Sequence, residues 1–375
     1  MTDPELQSMR RVIKVGTSLL RGSPERPTAA VIADLAASLA SQQRRGDQIA
    51  LVTSGAVGLG CEVLRLERRP TEVVALQAAA AVGQGRLMAL YQDAFAVRGL
   101  SVAQVLLTRG DLASRRRYQN ACTTLEQLLS WGVVPIVNEN DTLATEELRF
   151  GDNDTLSALV AAAIGADELI LLTDVDSLYS GDPRNDPDAR PIAEVRDRAE
   201  LEQLSHVASG GGQWGTGGMT TKLAAARIAT ASGIRVRLAD GRDPAVLNAL
   251  FSGAQRGTVF QPSPTPLADR KSWLAHALLP KGSVTVDPGA ERALLRHGAS
   301  LLAVGIQAVQ GQFARREPVQ VLGSDGRELG RGLCSFSSEE LLQIIGLSSE
   351  EVRRRFGDVG DAVVHRDAFV LTAVD

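Results

Sequence analysis

Lysine is scarce in this chain. Only four of its 40 basic residues are lysines, namely Lys14, Lys222, Lys271 and Lys281. Arginine serves wherever else a positive charge is wanted. A compact ammonium on a slim stem can crowd against one oxygen of an anion, which a planar guanidinium cannot do. Lys14 stands one residue before the end of the apolar run RVIKV. An unpaired ammonium buried there would be costly, so Lys14 needs an anionic partner, from the protein or from a ligand. Lys222 closes the glycine-dense stretch GTGGMTTK, Gly215 to Lys222, and leads into a helical pattern striped by Ala224, Ile228 and Ala231. A lysine in a first helical turn opposes the dipole at a cost of about 0.3–1 kcal/mol. A bound anion reverses that sign. Gly215, Gly217 and Gly218 free the backbone to turn N–H groups inward. The spacing is not a Walker loop, because Thr221 precedes and Leu223 follows the lysine. A third stretch, FGDNDTLSALVAAAIG, crowds Asp152, Asn153 and Asp154 at the head of a helix. Such a cluster complements the helix dipole, and it can also bind an amino or carboxylate group or position a cation.

These residues are positioned by an alternation of short apolar runs and longer helical patterns. RVIKV, QIALV, VAQVL, VVPIV, ELILL and IRVRL read as strands. Between them, 28–45, 71–98, 111–130 and 153–164 carry the helical period. The expectation is a mostly parallel sheet covered on both faces. Pro135 in VVPIV places that strand near an edge or at a bulge. Four strands are followed by polar or glycine-rich turns: Gly16-Thr17-Ser18, Thr53-Ser54-Gly55-Ala56, Asn138-Glu139-Asn140-Asp141 and Thr173-Asp174-Val175-Asp176. In a parallel sheet these turns share one edge, and ligands bind there.

Around Gln261 the texture changes to QPSPTPLADR, a boundary, and the runs beyond Lys281 are short and turn-rich, with Asp325-Gly326 as a hairpin signal. The reading is a domain over 1–262, a linker over 263–279 and a small β-rich domain over 280–375. The 375 residues carry a net charge of −4, which leaves no strong field for nucleic acid or an anionic membrane. From Lys281 onward 11 basic residues face 13 acidic ones, which argues against RNA binding there, and Arg353-Arg354-Arg355 reads as a solvated helix face. Cys61, Cys122 and Cys334 are odd in number and widely spaced, so a reducing, cytoplasmic setting is expected. Neither a leader before Val12 nor a run of roughly 18 apolar residues is seen.

KVGTSLL, VTSGAVGLG, IVNENDTL, GDNDTLSALVA, LLTDVDSLYSGDP and GTGGMTTKLAAA stand in the order and spacing of the amino acid kinase family. They most resemble its glutamate-phosphorylating branch, and VTVDPGA, LLAVGI and AVVHRD resemble a PUA domain. The resemblance implies a three-layer αβα sandwich with a PUA domain attached. It implies ATP-dependent phosphorylation of the γ-carboxylate of L-glutamate, as the first step towards proline, with Mg²⁺ riding on the nucleotide phosphates. Lys14 and Lys222 would neutralise the transferred phosphoryl group, and Asp154 would hold both lysines. Gly16, Thr17 and Ser18 would donate to phosphate. Thr173, Asp174, Thr216, Gly217, Gly218, Met219, Thr220, Thr221 and Lys222 would contact ATP. Ser54, Asp141 and Asn153 would bind glutamate. A homodimer or homotetramer and feedback inhibition by proline are implied too. One departure is Ser177, where the family usually has glycine; a left-handed glycine there would mean a reshaped loop. The acceptor carboxylate, with a reference pKa of about 4.3, arrives ionised and needs no general base. Accordingly His206, His276, His297 and His365 lie outside every motif.

Overall fold

The computed structural model describes residues 8–23, 25–143, 153–184, 186–209, 218–266, 280–357 and 362–372. The chain divides into two compact units, Met1–Leu267 and Ala268–Asp375. In the first unit the strands are β1 (Arg10–Val15), β2 (Gln48–Val52), β3 (Val102–Leu107), β4 (Val134–Glu139), β5 (Glu168–Thr173), β6 (Leu178–Tyr179), β7 (Pro191–Ile192), β8 (Glu194–Val195), β9 (Arg235–Asp240) and β10 (Thr258–Phe260). The helices are α1 (Thr17–Leu20), α2 (Thr28–Arg44), α3 (Ala56–Val63), α4 (Val73–Ala96), α5 (Arg109–Ala113), α6 (Arg115–Ser130), α7 (Asn153–Ala163), α8 (Arg198–Ser209), α9 (Gly218–Ala231) and α10 (Val246–Phe251).

Eight strands form one sheet in the order β3-β4-β2-β1-β5-β9-β10-β8. The pairs from β3 through β9 are all parallel, β10 runs antiparallel to β9, and β8 runs parallel to β10. β1, β2 and β5 are buried nearly throughout, as a sheet covered on both faces requires. Helices α2, α3, α4 and α10 pack together as one layer, and α6, α7, α8 and α9 as the other. Pro135 sits one strand in from the edge strand β3. Val134 donates its N–H to Ser101 on the β3 side, so alternation turns Pro135 towards β2, just ahead of the first β2–β4 pair, Leu51–Ile136. With no N–H to donate, Pro135 stands where that ladder has not yet begun.

From β1 the chain moves one way to β2 and β4, and later the other way to β5 and β9. The switch falls at β1, whose carboxyl end lies between those of β2 and β5, with Lys14 in register with Val52 and Leu171. That is where an open parallel sheet leaves a crevice. At the other end of the sheet, Glu168 pairs with Arg11 at 3.2 Å and with Arg237 at 2.8 Å, tying β1, β5 and β9.

Among the described residues one helix, α4, is long and apolar enough by length and composition to cross a membrane, which the sequence reading did not anticipate. In the fold it is a packed helix, resting on α2 and α3. The contact with α3 is unusually close because it is made of glycine. A Cβ on Gly83 would stand 1.8 Å from the Ala56 carbonyl oxygen, and one on Gly60 1.8 Å from that of Ala79. Gly55, at φ 96, turns the chain from β2 into α3.

The second unit holds a six-stranded sheet, β12-β16-β15-β14-β11-β13. Its strands are β11 (Gly282–Val286), β12 (Leu301–Leu302), β13 (Ile306–Gly311), β14 (Pro318–Leu322), β15 (Glu328–Cys334) and β16 (Ala362–Leu371). The Asp325-Gly326 signal is the antiparallel β14–β15 hairpin, with Gly326 at φ 81. Val284, Val321, Leu329, Phe336, Ile344 and Val363 centre its core. Arg353, Arg354 and Arg355 are exposed in the last turn of the helix Ser349–Phe356, where they complement its dipole.

Gly83→Ala is expected to destabilise the first unit by about 1–3 kcal/mol, because a methyl group driven into a carbonyl forces α3 and α4 apart. Urea unfolding followed by tryptophan fluorescence measures it.

Candidate active site

Lys14, on the central strand, reaches the Asp154 carboxylate at the head of α7, with Nζ 2.6 Å from Oδ1. Lys222, in the first turns of α9, meets the other oxygen of the same carboxylate at 3.2 Å. Thr221 Oγ1 donates to that Oδ2 at 2.8 Å, and Lys222 Nζ also donates to the Gly218 carbonyl at 3.0 Å. α7 and α9 are packed neighbours, which brings their two starts together. The three charged residues are all buried, with 6 % of Lys14, 2 % of Asp154 and 9 % of Lys222 exposed. Burial pushes the Asp154 carboxyl up. The two ammoniums outweigh it, and the group ends below its ordinary range. Two positive charges against one negative leave a net positive charge aimed at the sheet edge. That is an electrostatic clamp for an anion carrying more than one charge.

Gly16 follows β1 in ordinary extended backbone, at φ −75 and ψ 156, so no strained conformation requires glycine. A Cβ there would stand 3.5 Å from Lys14 Nζ, in ordinary van der Waals contact with the ammonium. Thr17 and Ser18 begin the short α1 beside it.

One cavity borders the clamp, and a second is lined by residues of α4, β3 and the turn after β4. The larger, of about 500 Å³, is lined among others by Thr173, Asp174, Ser177, Gly218, Met219 and Lys222. Thr173 Oγ1 donates to Asp174 Oδ1 at 3.2 Å. Tyr179, Asp182, Arg184 and Arg242 also border it, and the sequence reading had not singled them out. Asp182 and Arg184 form one ion pair and Asp240 and Arg242 another. Ser177 needs no left-handed backbone: among the described non-glycine residues only Arg65 and Arg316 have positive φ. The loop therefore accepts serine as it stands. Thr220 is exposed and is not among the cavity-lining residues. Thr216 and Gly217 lie outside the described residues, as do Asp152 and Gly215.

The smaller cavity, of about 290 Å³, is lined by Ala56, Gln84, Gln104, Glu139, Asp141 and Thr142 among others. Ser54 and Asn153 adjoin each other: Asn153 Nδ2 donates to Ser54 Oγ and to the Thr53 carbonyl, each at 2.8 Å. Thr53 Oγ1 is 2.8 Å from the hydroxyl of Tyr91, whose phenol is raised by complete burial. Gln84, Gln104 and Tyr91 escaped the sequence reading. Asn138 and Thr53 were visible only as members of strand-end turns.

The amino acid kinase family model matches residues 9–240, and the PUA domain model residues 282–356. A glutamate 5-kinase of Synechococcus sp. (strain CC9902) is 61% identical over 360 residues, covering 96% of this chain and 98% of that protein. One from Parasynechococcus marenigrum (strain WH8102) is also 61% identical over 360 residues, with the same shares covered. One from Trichormus variabilis (strain ATCC 29413 / PCC 7937) is 50% identical over 365 residues, covering 96% of this chain and 99% of that protein.

Asp154→Asn leaves two buried ammoniums with an amide in place of a charge. It should lower stability by about 3 kcal/mol as well as stop turnover, read by thermal melting and by rate. In the wild type the depressed Asp154 pKa gives stability that is complete above about pH 4 and is lost as the pH falls through the lower folded-state value. The stability difference between wild type and Asp154→Asn should therefore shrink on acidification and hold steady between pH 6 and 8.

Proposed function

Because the chain belongs to the amino acid kinase family and, within it, to the glutamate 5-kinases, we propose that its Lys14–Asp154–Lys222 centre carries the family reaction. That reaction is the ATP-dependent phosphorylation of the L-glutamate γ-carboxylate to L-glutamyl 5-phosphate, the first step of proline biosynthesis. The observation that carries the proposal is the pair of buried lysines sharing one carboxylate.

Phosphoryl transfer between two carboxylate- or phosphate-like oxygens needs positioning and charge neutralisation more than covalent help. The acceptor is already an anion, so no base need take a proton from it. Asp154 accordingly does not act as a base: it is held ionised between two cations, and its task is to keep them apart and aimed. Lys14 approaches from the sheet and Lys222 from the helix start. Between them the transferring group meets ammonium from two directions, fixed before the reaction begins. Gly16, Thr17 and Ser18 offer N–H and hydroxyl donors to phosphate where the chain leaves β1. Thr173, Asp174, Gly218 and Met219 make the wall for the rest of the nucleotide; on the family pattern Thr216, Gly217, Thr220 and Thr221 of the glycine-rich segment contact ATP as well. Ser54, Asp141 and Asn153 hold the glutamate.

Among the described residues no group of three acidic, histidine or cysteine side chains could hold a metal ion, and Asp154 already serves two lysines. Mg²⁺ fits this site as a companion of the nucleotide phosphates, where it would share in neutralising their oxygens. The proposal assigns 1–262 to catalysis, 263–279 to a linker and 280–375 to the PUA-like domain. Proline feedback, a homodimeric or homotetrameric assembly and a cytoplasmic setting belong to it on the strength of the family alone.

A hydroxamate assay with ATP, Mg²⁺ and L-glutamate tests the reaction directly; no glutamate-dependent product would sink it. In the same assay Lys222→Arg should lower kcat by about 10²–10³-fold with the fold intact, because the planar fork cannot occupy the ammonium's place. Asp141→Asn should raise the KM for glutamate more than that for ATP, and equal effects would move Asp141 out of the acceptor site.

A further inference from the structure

Four side-chain amides form a directed chain beside the smaller cavity. The two N–H bonds of Asn153 Nδ2 are shared among three acceptors, the Thr53 carbonyl and Ser54 Oγ, each at 2.8 Å, and Asn138 Oδ1 at 3.1 Å. Asn138 Nδ2 donates to Gln84 Oε1 at 2.9 Å. Gln84 Nε2 donates to Gln104 Oε1 at 3.3 Å. An isolated amide can be turned end for end. This chain cannot, because a backbone carbonyl only accepts. The Thr53 carbonyl fixes the NH₂ of Asn153. Turning Asn138 over would then set two NH₂ groups face to face at 3.1 Å. The same exclusion passes through Gln84 to Gln104.

The two ends of the chain therefore differ in character. Asn153 keeps Oδ1, buried and without a partner among the described residues. A buried amide oxygen calls for a donor. Gln104 keeps its NH₂, on the cavity wall that it shares with Gln84 and Asp141. Asn153 is not on that wall, so the end that a ligand there meets is the donor, and its complement is a carboxylate, which accepts. Gln84 is the link that matters for the donor end. It is 8 % exposed and sits on α4 next to Gly83, whose contact with Ala56 fixes where that helix lies.

Resting on the glutamate reading above, we infer that Gln84 is a positioning residue for acceptor specificity. It transmits the polarity set at the Thr53 carbonyl to Gln104, so that the pocket selects an acceptor with an α-carboxylate. Gln84 touches neither reacting atom; it acts through Gln104 and Asn138.

Two variants of the full chain separate this from a packing role. Gln84→Glu keeps an acceptor for Asn138 but makes Gln104 turn over, so that its oxygen faces the α-carboxylate. Gln84→Met keeps the volume and removes both hydrogen bonds. The readouts are KM for L-glutamate, KM for ATP, the inhibition constant of 4-aminobutyrate (glutamate without its α-carboxylate) against glutamate, and Tm. In Gln84→Glu the KM for glutamate should rise about tenfold, and in Gln84→Met about threefold, with the KM for ATP within about twofold of wild type. The inhibition constant of 4-aminobutyrate should rise less than the KM for glutamate, so that the preference between them narrows. Equal shifts for both acceptors, equal shifts in the two KM values, or no shift at all would overturn the inference. Wild-type turnover of L-glutamate in the same assay separates the two failures. If it is normal, only the role of Gln84 falls; if it is absent, the glutamate reading falls and takes this inference with it.

Discussion

Two ammoniums cannot be buried side by side without a charge between them. That constraint organises the catalytic unit. Each lysine alone would carry a large desolvation cost, and the pair would repel each other as well. Asp154 relieves both, and it can do so only if β1, α7 and α9 meet at one point. The switch in strand order at β1 opens a crevice there, and the α7–α9 contact places the other two residues over it. The clamp stabilises little by itself, since an ion pair in the interior roughly repays its own burial. What it provides is a positive excess held in place before any substrate arrives.

The other end of the sheet shows how the same fold uses charge for structure alone. Glu168 is likewise shared between two cations, Arg11 and Arg237, and is likewise buried. The difference lies in the cations. Arginine forks bind a carboxylate from the side and fill their space with planar packing, as Arg11 does 5.1 Å over the Phe251 ring. The lysines at Asp154 each carry more N–H donors than that carboxylate takes up. Lysine scarcity in this chain thus has a physical reading: at two of its four positions an arginine would close the site that lysine leaves accessible.

Much of the fold was legible because a parallel sheet buried on both faces writes itself as uninterrupted apolar runs. RVIKV, QIALV and ELILL correspond to the central strands, and the turns after them share one edge in the structure. The clamp was legible through composition and placement: a rare lysine in an apolar strand, another at a helix start, and an acid at a helix head. The very short strands β6, β7, β8 and β10 were not, since two or three residues carry no period. The amide chain was not legible either. Gln84 hides in an alanine-rich helix and Gln104 in an edge strand, and each looks like a surface residue of its element. Their meaning comes from partners 20 and 54 residues away in sequence. Polarity of that kind is a property of the assembled network, and no local pattern encodes it.

On the proposed assignment of nucleotide and acceptor, the two cavities divide the electrostatic work. The larger is bordered by Asp182, paired with Arg184, by Arg242, paired with Asp240, and by Asp174 and Asp176. Beside the paired groups a highly charged nucleotide leaves no opposite charge stranded when it departs. The smaller is bordered by amides as well as by Asp141 and Glu139. An acceptor that is both cation and anion at its α-carbon would pull a purely charged wall out of balance, because a wall suited to one pole repels the other. Amides offer a donor and an acceptor at no cost in net charge. They are unambiguous only when their orientation is fixed, and a single backbone carbonyl at Thr53 suffices to fix all four.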